Sequence, residues 1–142
     1  MQVTLMKSGP ILCLQIQGRL DTGIPQGFER ALLRLIEKGE THLVFDFAQV
    51  EHVSSNGLRI LLRAFKQITY ANGRMVFHSL SERVRRSFEV AGLTMLFGIY
   101  DTREEALSGV MFTRLLPVNI VNSLPQRSAG SLGDRTMAGE PR

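Results

Sequence analysis

Ser54, Ser55 and Asn56 stand in a row ahead of Gly57, and they are the polar residues of this 142-residue chain best placed for chemistry. A hydroxyl here could receive a phosphoryl group, or the turn could hold a phosphate already made. Upstream, Val44, Phe45 and Phe47 are bulky β-formers broken only by Asp46, which reads as the end of a mostly buried strand. Downstream, Leu58, Leu61, Leu62 and Phe65 recur at helical spacing with Arg59, Arg63 and Lys66 on the other face, so a helix begins near Ser55. The first N–H groups of a helix have no partner within it, and its dipole there favours negative charge. Two readings therefore stand side by side. Ser54 and Ser55 are N-caps with Gly57 a small residue in the first turn, or they carry or receive a phosphate at a surface.

Other catalytic arrangements find no support. His42, His52 and His78 are spread singly, without the spacing of a metal-binding pair, and Cys13 is the only cysteine. The serines lack the Gly-x-Ser-x-Gly elbow of a hydrolase, and no Gly-x-x-x-x-Gly-Lys-Ser loop is present to cradle a nucleotide. Asp21 and Asp46 could be drawn as an acid–base pair, but turn capping and strand-end hydrogen bonding explain them more simply. No enzymatic activity, metal or cofactor is expected.

The elements that position the turn follow from pattern. Val3 to Met6 and Ile11 to Ile16 flank Ser8-Gly9-Pro10 and predict an antiparallel hairpin. Phe28, Ala31, Leu32, Leu35 and Ile36 mark a helix opening near Pro25 and stopping at Gly39. A strand over His42 to Phe47 precedes the central helix, which Asn72-Gly73 ends. Met75 to Phe77 form a further strand, and Ser79 with Glu82 suggests a capping box for a helix carrying Val84, Phe88 and Ala91. A short strand near Met95 to Ile99 and a helix from Thr102 complete the pattern. Alternating strands and helices predict an α/β fold with a mixed, mostly parallel sheet of four to five strands and about four helices. In such a sheet the loops holding Asp21 and Thr22, Ser54 to Gly57, and the residues after Phe77 are expected to gather at one end, which makes the turn a candidate site.

Composition narrows the function. The net charge is +4, yet Arg83, Arg85 and Arg86 lie beside Glu82 and Glu89, and no DNA- or RNA-reading motif accompanies them. Nucleic acid is not expected; a solvated or partner-binding face is. A single cysteine on an apolar strand rules out a disulfide within the chain. No apolar stretch nears the ~20 residues needed to span a bilayer and no targeting pattern opens the chain, so no membrane insertion and a cytoplasmic location are expected. Beyond about Val110, Met111 to Val121 is apolar around Pro117, with Leu115, Leu116, Val118, Ile120 and Val121 expected to pack on the domain or on a second copy. Asn122 to Arg142, rich in Ser, Gly, Pro and Arg, is expected to be disordered. The division is thus 1–110 for the domain and 111–142 for an extension.

Three segments together resemble the STAS domain of bacterial anti-sigma factor antagonists: Asp46-Phe47 followed by Ser54-Ser55-Asn56-Gly57-Leu58, Gly18-Arg19-Leu20-Asp21-Thr22, and Phe88-Glu89-Val90-Ala91-Gly92-Leu93. They cover about residues 1 to 110 in the family's order and spacing. The resemblance implies a regulatory protein that docks on an anti-sigma factor of the protein-kinase-like type and frees a sigma factor for transcription, with a homodimer as a further candidate. The implied face is Asp21, Thr22, Ser54, Ser55, Asn56, Gly57, Leu58 and Arg59. One departure bears on control. The family's phosphate acceptor is the serine before the glycine, and that position is Asn56, whose amide is no usable nucleophile. Ser55 and Ser54 remain as candidate acceptors, but one step along a helix start turns a side chain by about 100°. Binding that is constitutive, or controlled otherwise, is therefore expected. Two rivals fit the same turn: a structural STAS subunit of a bacterial lipid-transport ABC machine, and a module sensing a nucleotide or small ligand.

Overall fold

Along Ile11 to Ile16, apolar and more polar residues alternate, and a strand so patterned buries one face. The computed structural model describes residues 1–112 and places this segment inside β2 (Ile11–Leu20). Gly9, in the left-handed region at φ 60°, turns the chain back from β1 (Gln2–Ser8), and the two strands pair antiparallel with Leu5 opposite Leu14. β3 (His42–Val53), β4 (Arg74–His78) and β5 (Gly98–Tyr100) follow in parallel, so the sheet order is β1-β2-β3-β4-β5. Helices α1 (Phe28–Glu37), α2 (Ser55–Tyr70) and α3 (Glu82–Val90) make the crossovers, and α4 (Arg103–Phe112) follows β5. Five strands and four helices among the described residues match the architecture the sequence predicts.

The period-two alternation of strands assigns the helices to faces. Leu43, Phe45 and Phe47 share one face of β3 and pack with Leu32 and Ile36 of α1, Leu61 and Ala64 of α2 and Phe88 of α3. Phe77 stacks on Phe45 at 4.8 Å between ring centroids and meets Phe47 edge-on at 5.2 Å, so aromatic rings fix β3 against β4. The opposite face sets Ile11, Val44 and Val76 against Ala106 and Val110 of α4. Cys13 packs beside this second cluster.

Several boundaries differ from expectation, each for a local reason. β3 does not end at Phe47: it runs on to Val53, because Val50 and Val53 are buried and pair with Gly18 and Leu20 after register shifts in the β2–β3 ladder. Ala48 to Val53, between the predicted strand and the predicted helix, are therefore strand, and Ser54 alone links β3 to α2. α1 begins at Phe28 and not near Pro25, since turns from Ile24 to Asp21 and from Phe28 to Pro25 occupy the preceding residues. α3 is capped by Ser81, whose hydroxyl accepts from the Val84 amide at 3.2 Å, while Ser79 sits at φ 63° outside the helix. β5 lies at Gly98–Tyr100 and not from Met95, which is 55% exposed. At Thr102, where the predicted helix opens, the hydroxyl accepts from the Glu105 amide while the Glu105 carboxylate accepts from the Thr102 amide, which makes a capping box. α4 continues across residue 110, and Met111 packs against the second cluster. The expectations for residues 113–142 lie outside the described residues.

Candidate functional site

At the corner where β3 meets α2, Ser54 works as a cap in two directions. Its hydroxyl accepts from the Gly57 amide at 3.2 Å and donates to the Leu20 carbonyl at 3.1 Å. The Ser54 amide donates to that same carbonyl at 2.8 Å. One residue thus starts α2 and pins it to the end of β2. The pinning explains the glycine at 57: a Cβ there would lie 2.6 Å from the Leu20 oxygen and 3.0 Å from Val53 Cγ1. Only a residue without a side chain lets the helix approach so closely.

Leu20 leads directly into Asp21, so the first predicted loop adjoins the corner. Asp21 is committed to its own turn, accepting from the Gly23 amide at 3.0 Å and from Arg19 Nε at 2.7 Å. The Gly23 amide first, then the Arg19 guanidinium, hold its carboxyl below the usual carboxylate range. Thr22 beside it is exposed.

Asn56 is exposed and held in place. Arg59 donates to its amide oxygen through Nε at 3.1 Å and Nη2 at 2.9 Å. The same guanidinium reaches the Glu29 carboxylate on α1, with Nη2 at 3.2 Å from Oε1, and Arg63 adds a bond to Glu29 at 2.8 Å. Arg59 first, with Arg63 behind it, draws the Glu29 carboxyl below its ordinary pKa. A chain Asn56–Arg59–Glu29–Arg63 therefore bridges α2 to α1. Ser55, at the first helical position, is exposed; Leu58 is half-buried.

The predicted residues come together unevenly. Asp21, Ser54 and Gly57 build the corner, while Thr22, Ser55, Asn56 and Arg59 present side chains to solvent. The loop after Phe77 joins elsewhere, with the Ser79 amide donating to the Tyr100 carbonyl at 3.2 Å and its hydroxyl meeting His78 Nδ1 at 2.8 Å. What this connection brings near Ser55 is α3, which walls a groove with it. Sequence reasoning missed Glu29 and the Leu20 carbonyl. Glu29 stands in the first turn of α1, a common place for an acid, and nothing local marks it as the partner of a residue 30 positions on. Among the described residues, no cluster of three or more His, Cys, Asp or Glu could hold a metal ion, and no helix is long and apolar enough to cross a membrane.

Comparison with known proteins bears on this corner. A family model described as the STAS domain matches residues 2–106. BtrV of Bordetella bronchiseptica, an inferred anti-sigma factor antagonist, is 31% identical over 117 residues, covering 82% of this chain and 99% of the relative. The anti-sigma-F factor antagonist RsfB of Mycobacterium tuberculosis is 29% identical over 116 residues, 80% of this chain and 92% of RsfB. Among solved structures, that of an inferred anti-sigma factor antagonist from Thermotoga maritima superposes with a TM-score of 0.73 at 22% identity, over 77% of this chain and 94% of the other.

Proposed function

The chain belongs to the STAS domain family, and from that premise we propose that it docks on an anti-sigma factor of the serine-kinase type and so releases a sigma factor for transcription. The names of BtrV and RsfB assign antagonism to those proteins; its extension to this chain rests on its own corner. The observation that carries the reading is a solvent-facing helix start whose exposed side chain Asn56 is held by Arg59 and through it by Glu29. A docking surface gains from such preorganisation, because little conformational entropy is lost on binding. On this reading the chain supplies shape and charge in the cytoplasm and no catalysis, with residues 1–110 as the docking unit.

Control by phosphate would differ from the family pattern. A phosphoryl group would set about two negative charges against the partner and break a close fit. Asn56 has no hydroxyl to receive one, and the Ser54 hydroxyl is already engaged with Leu20 and Gly57. Ser55 is exposed but one step, about 100°, away from the acceptor position, so on this reading binding is constitutive with respect to the kinase, or controlled otherwise. Calorimetric titration of the full chain with each serine-kinase-type anti-sigma factor of the same genome, followed by incubation with ATP and intact-mass measurement, tests this. A complex that persists with unchanged mass is expected. Failure to form any complex overturns the docking reading, and a stoichiometric phosphate on Ser54 or Ser55 overturns constitutive binding.

A further inference from the structure

Beside the corner, between α2 and α3, runs an open groove of about 720 Å³ walled by Val53, Ser55 and Leu58 on one side and Arg83, Arg86 and Val90 on the other. Its charge is one-sided. Of the ionisable groups lining it, Arg83 and Arg86 face a single acid, Glu82, whose carboxylate stands 3.9 Å from Arg86 with both side chains largely in water. An ion pair so exposed contributes little and leaves the guanidinium free to exchange partners. The start of α2 adds its positive dipole end at the same place. The groove also has an apolar wall that the fold does not require. Val84 and Phe88 make the buried stripe of α3, whereas Val90 lies off it at 84% exposure.

We propose that this groove receives an acidic and apolar segment of a partner protein, an Asp or Glu seated between Arg83 and Arg86 with a neighbouring aliphatic or aromatic side chain on Val90 and Leu58. Charge complementarity selects that occupant over a basic segment, and the exposed valine selects it over a purely polar one. Ser55 belongs to both the corner and the groove, so the segment extends the docking surface from α2 onto α3. The docking reading above decides only which protein owns the segment.

A photo-crosslinking amino acid, p-benzoylphenylalanine, placed at Val90 of the full chain in its own cells tests the assignment, with the same probe at Tyr70, 91% exposed at the far end of α2, as the comparison. The expected result is an adduct from Val90 but not Tyr70, whose cross-linked peptide carries Asp or Glu next to apolar residues. Its yield should fall at least tenfold in the Arg83→Glu/Arg86→Glu chain and persist in Arg83→Lys/Arg86→Lys. Both arginines are exposed, so circular dichroism should find the variants folded. No adduct, a peptide without an acid, a second copy of this chain, or a yield indifferent to charge reversal would each overturn the proposal. If the acidic peptide comes from a protein other than an anti-sigma factor, the groove assignment stands and the proposed function falls.

Discussion

Arg59 grips Asn56 one helical turn away, with two N–H groups within 3.1 Å of the amide oxygen, and so fixes the side chain at the position where the family resemblance implies an acceptor serine. The grip is itself anchored, because Glu29 of α1 accepts from the same guanidinium. Position 56 is neither a loose surface residue nor a reactive one. It is a neutral group held at a helix start that would welcome a negative charge.

Asn56→Asp separates folding from docking. The carboxylate would face Arg59 and the positive end of α2, an arrangement worth ~0.3–1 kcal/mol. The melting temperature should hold or rise by about 1–8 °C. Affinity for the anti-sigma factor should fall by about tenfold or more, equivalent to ~1.4 kcal/mol, because the charge enters a surface built around a neutral amide. Equal affinities of the two forms by calorimetry would refute the assignment of position 56 to the interface.

Ser54→Ala removes the hydroxyl that accepts from Gly57 and donates to Leu20. Loss of an N-cap costs ~1 kcal/mol, and for a domain of this size that corresponds to a fall of roughly 4–8 °C in melting temperature. Ser54→Thr keeps both bonds and should recover most of the loss. If alanine melts with the parent, Ser54 is not what fastens α2 to β2.

At Gly57 two effects oppose each other, and their sizes decide. Alanine inside a helix gains ~1 kcal/mol over glycine. A Cβ 2.6 Å from the Leu20 oxygen meets backbone, which cannot swing aside, and overpacking of this kind costs ~1–3 kcal/mol. Gly57→Ala should therefore destabilise on balance, and it should also tilt the helix start and weaken docking. Denaturant unfolding that finds the alanine form more stable would mean that the corner yields easily.

How far the sequence discloses this site depends on the range of each interaction. The cap at Ser54, the helix face of Leu58, Leu61 and Leu62, and the reciprocal box of Thr102 and Glu105 are local, and local spacing reveals them. The extension of β3 to Val53 was hidden because Ala48, Gln49, Glu51 and His52 look like a polar link until β2 supplies the pairing partner for Val50 and Val53. The Glu29–Arg59 bond spans 30 positions and the Ser54–Leu20 bond 34, distances over which no periodicity carries information. The groove beside Ser55 exists because α3 returns alongside α2, which only the assembled sheet determines.

Acid should lower the domain's stability over two pH ranges, both in the same direction. His78 is 4% exposed, and burial pushes its pKa down from the ordinary 6.5, although Asp46 opposes the shift. Between that lowered value and 6.5 the unfolded chain binds more protons than the folded one, so stability falls as pH drops below about 6.5. Glu29 and Asp21 are also lowered, Glu29 by Arg59 first and Asp21 by the Gly23 amide first. Their contribution is complete above the ordinary carboxylate range near 4 and is lost as pH falls through the lowered folded values. Melting temperatures measured from pH 8 to 3 should thus decline below about 6.5 and again below about 4. His78→Gln should flatten the first decline and leave the second. Glu29→Gln should soften the second, leave the first, and replace the ion pair between α1 and Arg59 by a weaker neutral hydrogen bond. A Glu29→Gln profile that superimposes on the parent below pH 4 would show that the Arg59–Glu29 bridge contributes nothing to holding the corner.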